Sequence, residues 1–374
     1  MRIAVDVMGG DKAPREIVRG CVLAARRRAE IPGLEQIIMV GREAEVMREL
    51  KKARGRLGAT LAFVNADEVV GMDEAPAAAV RKKKRNSLTV CMELVKKGEA
   101  QAMVSAGNSG AFAAAALFSL GRIKGVHRPV IAAVLPTRVA KPIVVVDAGA
   151  NMDCDPAWLS QFAIMGSAYA EKVLGAGEKP VVGLVSIGAE ECKGNEFTRE
   201  AFGYLKKCGV NFMGNMEGHD VFGGKVDVAV CDGFVGNVIL KTTEGAARAI
   251  GHWLKAGIGG SFWGKIGLLF MAGIFKMLRK KMDPEQYGGA FLLGVDGNAV
   301  VTHGASTRRA IFHAISVAAS ASMNELDATI ASRIADYNAK MAAKKAAEAA
   351  SAAGAAESAQ QAPAGAEGNA ATAS

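Results

Sequence analysis

Six times along the chain a short apolar run stops at a polar, glycine-bearing turn, and helix-forming sequence usually follows. The turn after Ala102–Val104 is Ser105-Ala106-Gly107-Asn108-Ser109-Gly110, opening into the small-residue stretch AFAAAALFSL. Ile3–Val7 leads into Met8-Gly9-Gly10-Asp11, Ile143–Val146 into Asp147-Ala148-Gly149-Ala150-Asn151, and Val181–Ser186 into the turn from Ile187 to Asn195. Val226–Cys231 leads into Asp232-Gly233-Phe234-Val235-Gly236-Asn237, and Val300–Thr302 into His303-Gly304-Ala305-Ser306. Strands alternating with helix-length gaps predict βαβ units and a largely parallel sheet. Ligands of open α/β sheets bind outside the carboxyl ends of the strands, so the six turns are expected along one rim. Each turn leaves backbone N–H groups without helical partners at the positive end of a helix, a seat for an anion such as phosphate.

The 374 residues, half of them hydrophobic, suffice for one large core or two smaller ones. No apolar window reaches the ~18 residues of a spanning helix, and the chain starts directly on a strand pattern, so no signal peptide is expected. Cys21, Cys91, Cys154, Cys192, Cys208 and Cys231 form no CxxC pair. They are expected as reduced cytoplasmic thiols, not a zinc site or disulfide framework. Cys192 and Cys231 fall at turns where a nucleophile could sit, although a free cysteine is more often a packing residue. The net charge of +9 implies an acidic partner or surface. Aromatic residues are few and not interleaved with the basic runs, which argues against a single-strand stacking platform.

In chain order, strands are expected at 36–40 and 61–65, and helices at 43–54, 88–97, 156–173, 198–207, 238–254 and 305–326. A helix from Pro76 ends in Arg81-Lys82-Lys83-Lys84-Arg85, the densest charge in the protein. The run is either a solvated helix end favoured by the dipole or a docking patch for an acidic partner. Residues Gly257–Lys281 break the α/β rhythm, with a basic stripe of Lys265, Lys276, Arg279 and Lys280. Phe262, Trp263, Ile266, Leu269, Phe270, Ile274 and Met277 make the broad apolar remainder. Such a helix lies at an anionic bilayer or packs into its own dimer interface. Residues 291–302 read as a hairpin turning at Asp296-Gly297. The expected organisation is an α/β domain over 1–338, with an amphipathic insertion at 257–281, and a disordered Ala-rich tail over 339–374.

Taken together, MRIAVDVMGGDKAP, VSAGNSGA, VVDAGAN, SIGAEECKGNE, CDGFVGNVILK and THGAS resemble the phosphate acyltransferases of bacterial phospholipid synthesis. The resemblance covers about Met1 to Asn324. It implies a Rossmann-like α/β/α sandwich, mostly parallel, related to phosphotransacetylases and isocitrate-dehydrogenase-like enzymes. It further implies a homodimer that makes acyl phosphate from acyl-carrier protein and inorganic phosphate, with no cofactor. Implied too are peripheral attachment to the inner face of the cell membrane through 257–281 and a downstream acyl-phosphate-using glycerol-3-phosphate acyltransferase.

Phosphate is already an anion at neutral pH and a thiolate is a tolerable leaving group, so neither an enzyme nucleophile nor a strong base is required. The absence of a GxSxG elbow or Cys/His pair fits this. Phosphate is assigned to the N–H groups around Ser105, Gly107, Asn108, Ser109 and Gly110, helped by Lys193, with Gly9, Gly10, Asp11, Gly233 and Gly236 as further binding positions. Asn151, Asn195, Asn237 and His303 are candidates to polarise the thioester carbonyl. Asp6, Asp147 and Asp232 orient those donors or cap the following turns. Their spacing matches no metal-ligand pattern, so no metal is expected. His127, His219, His252 and His313 lack a motif context and read as structural or surface residues. Arg81, Lys82, Lys83, Lys84 and Arg85 are the candidate dock for the carrier protein, and no nucleic-acid partner is expected. No GxGxxG with a later ribose-binding acid supports a dehydrogenase. A phosphotransacetylase using acyl-CoA, or a non-catalytic acyl-binding scaffold, stays open.

Overall fold

The computed structural model describes residues 1–139, 141–259, 270, 271, 273, 277 and 284–360. The first half contains β1 (Arg2–Asp6), α1 (Arg15–Arg26), β2 (Gln36–Gly41), α2 (Glu43–Lys52), β3 (Leu61–Asn65), α3 (Pro76–Lys82), α4 (Ser87–Lys96), β4 (Ala102–Ser105) and α5 (Ser109–Ser119). Then follow β5 (Val130–Leu135), β6 (Ile143–Val146), α6 (Trp158–Lys172), β7 (Val181–Val185), α7 (Glu196–Leu205), β8 (Asn211–Met216), β9 (Val228–Val230) and α8 (Gly233–Gly259). The chain closes with β10 (Ala290–Leu293), β11 (Asn298–Val301), α9 (Arg308–Met323) and α10 (Leu326–Gln360).

β1 shows why the strands read as unbroken apolar runs. Ile3 and Val5 face one layer, with Ile17, Val18, Val22, Ile311 and Ile315, while Ala4 faces the other, with Val80, Leu88, Met92 and Phe112. Both faces are covered, so neither alternate position is free to be polar. Each such side chain contributes roughly 1.5–3 kcal/mol of hydrophobic stabilisation. α1 brings Ile17, Val18, Cys21 and Val22 onto one stripe and crosses α9 closely: a Cβ on Gly20 would lie 2.5 Å from Ile311 Cβ. A third, smaller core gathers Leu135, Val145, Met216, Ala229 and Cys231 under the first turns of α8.

All strands form one sheet in the order β3-β2-β1-β4-β11-β10-β5-β6-β9-β7-β8. β3, β2, β1, β4 and β11 are mutually parallel, as are β6, β9, β7 and β8. Between these blocks β10 is antiparallel to β11 and to β5, and β5 to β6. Strand sense therefore reverses from one block to the other. The first, second and sixth turns leave one edge of the sheet, and the third, fourth and fifth leave the opposite edge. This corrects the expectation of a single rim: the β5–β6 connection is a hairpin, not a crossover. Twist works against the reversal, since roughly 20–25° per strand over the six steps from β1 to β9 turns strand direction by ~120–150°.

Several local expectations change as well. The basic run does not end one long helix. Asn86 accepts from the Thr89 N–H and starts α4, splitting the segment into α3 and α4. β8 escapes a sequence reading because glycine and asparagine interrupt an edge strand. α8 begins at Gly233, earlier than expected. Past Ala339 the chain continues as α10 through Gln360, in a stretch rich in alanine, lysine and glutamate, which are strong helix formers. Among the described residues no helix is long and apolar enough to cross a membrane. Phe262, Trp263, Ile266, Leu269 and Ile274, and the basic stripe Lys265, Lys276, Arg279 and Lys280, lie outside the described residues; Phe270 is described and exposed.

Candidate active site

At the first edge three turns interlock. Asp6, 1% exposed, ends β1 and accepts from the N–H groups of Met8 (3.0 Å) and Gly9 (3.1 Å) through Oδ1. Its Oδ2 accepts from Ser105 Oγ at 2.7 Å, and Ser105 Oγ accepts from the Gly107 N–H at 3.0 Å. The two turns touch so closely that a Cβ on Gly9 would lie 2.5 Å from Asp6 Oδ2 and 2.8 Å from Gly107 Cα. The third turn joins through the Thr302 N–H to Ser105 O (2.8 Å) and the Asp11 N–H to Gly304 O (2.9 Å). Lys12 Nζ donates to Ala305 O. Gly10, at φ +108°, takes a conformation few side chains tolerate.

Asn108 caps α5. Its Oδ1 accepts from the N–H groups of Gly110 (3.0 Å) and Ala111 (3.1 Å), while Nδ2 donates to Met72 O (2.9 Å) and Glu74 O (3.3 Å). The N–H groups of Gly107 and Gly110, expected to face an anion, are thus partnered by side-chain oxygens within the turn. Ser109 and Gly110 are exposed beside them. His303 is exposed and its Nδ1 accepts from the Ala305 N–H at 3.0 Å, which places the proton of the neutral ring on Nε2.

At the opposite edge Asp147 is fully buried and organises nearly everything around it. Oδ1 accepts from the N–H groups of Ile131 (3.0 Å), Gly149 (3.1 Å) and Ala150 (3.0 Å). Oδ2 accepts from the Asn151 N–H (2.7 Å) and Asn151 Nδ2 (2.8 Å). Asn151 Nδ2 also donates to Pro129 O at 2.9 Å, so this amide braces the turn and has no donor left for a carbonyl. The start of α8 packs directly on this loop: a Cβ on Gly236 would lie 1.8 Å from Asp147 O, and one on Gly233 2.4 Å from Asn151 O. Asp232 caps α8 by accepting from the Val235 N–H at 2.9 Å. Asn237 sits against Gly149.

Burial raises the pKa of both Asp6 and Asp147 above the ordinary carboxylate value, with the donated hydrogen bonds pulling the other way. In the turn after β7, Lys193 and Asn195 are exposed, and Asn195 caps α7 by accepting from the Thr198 N–H at 2.9 Å. Beneath that turn Ser186 Oγ and Asn215 Oδ1 are buried with no hydrogen-bond partner among the described residues, two polar atoms that the sequence reading did not single out. Among the described residues no three His, Cys, Asp or Glu side chains gather as a metal site would need.

The model of a family described as fatty acid synthesis protein matches residues 1–328. The chain is 49% identical over 342 residues to the phosphate acyltransferase of Pelotomaculum thermopropionicum, covering 91% of this chain and 97% of that protein. It is 51% identical over 321 residues to the phosphate acyltransferase of Desulforamulus reducens, covering 85% and 92%. The chain belongs to this family. Its fold is that of a Streptococcus pyogenes phosphotransacetylase (TM-score 0.55, 18% identity, 86% of this chain and 94% of that one). A Staphylococcus aureus phosphotransacetylase shares it too (TM-score 0.53, 14% identity, 86% and 94%).

Burial raises the Cys21 thiol to about 12 and Cys154 to about 11, and holds Cys91 and Cys231 well above the ordinary value. Cys231, one of the two cysteines placed at turns, donates weakly to Asp147 O and is a packing residue. Cys192 is exposed. The basic run is divided in use. Lys83 turns inward to Val69 O (2.7 Å) and Glu74, Arg81 stacks on Phe118 (4.9 Å), and Arg85 pairs with Asp67 (3.5 Å). Lys82 and Lys84 are exposed.

Proposed function

We propose that the chain transfers an acyl group from the thioester of an acyl-carrier protein to inorganic phosphate. A phosphate oxygen attacks the carbonyl, the C–S bond breaks, and the proton of the hydrogen phosphate accounts for the carrier thiol. The observation that supports this reading is the pair of carboxylate-braced glycine turns set at strand carboxyl ends, with His303 exposed at one and Lys193 and Asn195 exposed beside the other. Such turns position the donors His303, Asn237, Asn195 and Lys193, which orient two reactants and stabilise an oxyanion without a covalent enzyme intermediate.

Phosphate is placed at the first edge, where Ser109, Gly110, Gly10 and His303 line the exposed side of the interlocked turns. The thioester is placed toward Asn237, Asn195 and Lys193; Lys193, expected from sequence to help hold phosphate, is assigned here instead because its turn follows β7 in the second block of strands. Asp6, Asp147, Asp232 and Asn151 act through the turns they brace. Lys82 and Lys84, with Arg81 and Arg85 beside them, are the proposed dock for the acidic carrier, while Lys83 belongs to the fold. Residues 1–338 are the proposed catalytic unit.

The proposed homodimer and peripheral contact with an anionic membrane draw on α8. Past its first turns it leaves Ile250, Trp253 and Leu254 exposed, and Phe270 beyond it is 87% exposed. An acyl phosphate is an easily hydrolysed mixed anhydride, so delivery at the membrane to an acyltransferase that uses it at once is the proposed fate. Changing Phe270 and Ile274 to Asp should release the protein from anionic vesicles in a flotation assay while sparing activity in solution. Unchanged flotation removes the membrane proposal.

Incubation with acyl-carrier protein and labelled phosphate tests the reaction. Labelled acyl phosphate is the expected product. Product only with acyl-CoA would make the chain a phosphotransacetylase, and none with either donor would leave a binding scaffold.

A further inference from the structure

Between the last turn of α5, the loop from Gly121 to Pro129 and the start of α6 lies a cavity of about 390 Å³. Leu117, Pro129 and Trp158 give it apolar walls, and Arg122, His127 and Arg128 give it polar ones. Residues 121–129 carry Arg122, Lys124 and Arg128 and no acidic residue. The Arg128 guanidinium lies over the Trp158 ring at 5.0 Å, which holds it extended along the wall. Arg122 donates one hydrogen bond to His127 O, leaving most of its planar set of donors for a ligand.

The loop that presents these groups is pinned from behind. Gln161, 1% exposed, accepts from the His127 N–H (2.8 Å) and donates to Gly125 O (2.9 Å), and Asn338 Nδ2 donates to the same carbonyl at 3.0 Å. Pro129 O, as described, takes Asn151 Nδ2 of the second turn cluster. A cationic cavity therefore opens beside Asn151 of the second turn cluster, on the side toward which the thioester is proposed to lie. Preorganised arginines of this kind suit phosphate, which accepts two parallel N–H donors from a guanidinium. Free phosphate would leave the Trp158, Leu117 and Pro129 walls unused, and a fatty chain would leave two guanidinium groups facing hydrocarbon.

We propose that this cavity holds the phosphate ester at the root of the carrier protein's pantetheine arm, anchoring the arm while its thioester reaches the second cluster. The inference rests on the acyl-carrier reading above. Arg122 and Arg128 grip the phosphate and Trp158 packs along the uncharged arm.

The full chain has 3 tryptophans, so replacing Trp253 and Trp263 by Phe leaves Trp158 as the reporter. Titration with 4′-phosphopantetheine should give a saturable change in its emission. Pantetheine without the phosphate should bind at least about tenfold more weakly, as should the Arg122→Ala/Arg128→Ala variant with the phosphorylated probe. Where that double variant fails to fold, Arg128→Gln, altering only an exposed side chain, is used instead. In turnover, Arg128→Gln should raise KM for acyl-carrier protein by about tenfold and leave KM for inorganic phosphate within about twofold. Equal response to pantetheine and phosphopantetheine, or an unchanged arginine variant, overturns the proposal. A response to inorganic phosphate as strong as to phosphopantetheine overturns it in favour of a free-phosphate site. A wild-type protein that makes no acyl phosphate defeats the assigned reaction, while the titration still decides the cavity.

Discussion

The two turn clusters solve the same problem with different economies. At the first edge Asp6 takes two backbone N–H groups and a hydroxyl, and three separate chain segments, the turns after β1, β4 and β11, share the bonding. At the second edge Asp147 alone takes four backbone N–H groups and a side-chain amide. A distributed brace can lose one member and keep its shape; a concentrated one cannot. The first edge is thus expected to yield gradually to substitution and the second to collapse.

Asp147→Ala gives the largest expected effect. It strands four part-buried donors around a fully buried position, so a loss on the order of 4 kcal/mol in urea unfolding, with activity abolished, is expected. Asp6→Ala should cost about 2–3 kcal/mol, and equal losses would break the comparison. Next comes Gly236→Ala, whose Cβ would meet Asp147 O at 1.8 Å; a loss of about 3 kcal/mol is expected. A smaller effect at the same position would mean that α8 can slide away from the turn.

Lys83→Met sharpens the contrast from the other side. It removes the partner of Glu74, whose carbonyl and that of Met72 hold Asn108. Stability should fall by about 1 kcal/mol, and hydrogen exchange should rise in 105–111 but not in 147–151. Exchange rising in both segments would show that the two clusters are coupled.

The smallest effect is the pH dependence. Burial raises the folded-state pKa of Asp6, so its contribution is full below the ordinary value of 3.8 and is lost as pH rises through the raised value. The stability gap between the wild type and Asp6→Asn should therefore be wider near about pH 4 than near pH 7. A gap that grows with pH would reverse the sign.

Sequence periodicity and turn chemistry suffice for the strand–turn–helix units. Ile3, Ala4 and Val5 are apolar because both sheet faces are covered, and that requirement is local enough to see. Strand sense is not local. Whether Val130–Leu135 pairs parallel or antiparallel with Ile143–Val146 depends on a seven-residue connection that fits a hairpin and no helix. Individual roles were less visible still. Asn151 and Asn108 carry the same amide as Asn237, and only three-dimensional accounting shows that their donors are already committed. Trp158 and Arg128 lie 30 residues apart in sequence and carry no motif.

β11 lies between β4 and β10, and the turn that follows it completes the first cluster. Residues 298–306 are made long after β1 and β4 have left the ribosome, so a nascent chain carries an unfinished first turn cluster through most of its synthesis. A chain that ends before residue 298 lacks β11 and therefore has no assembled first edge. Quality control that removes such fragments would be acting on a missing strand beside β4.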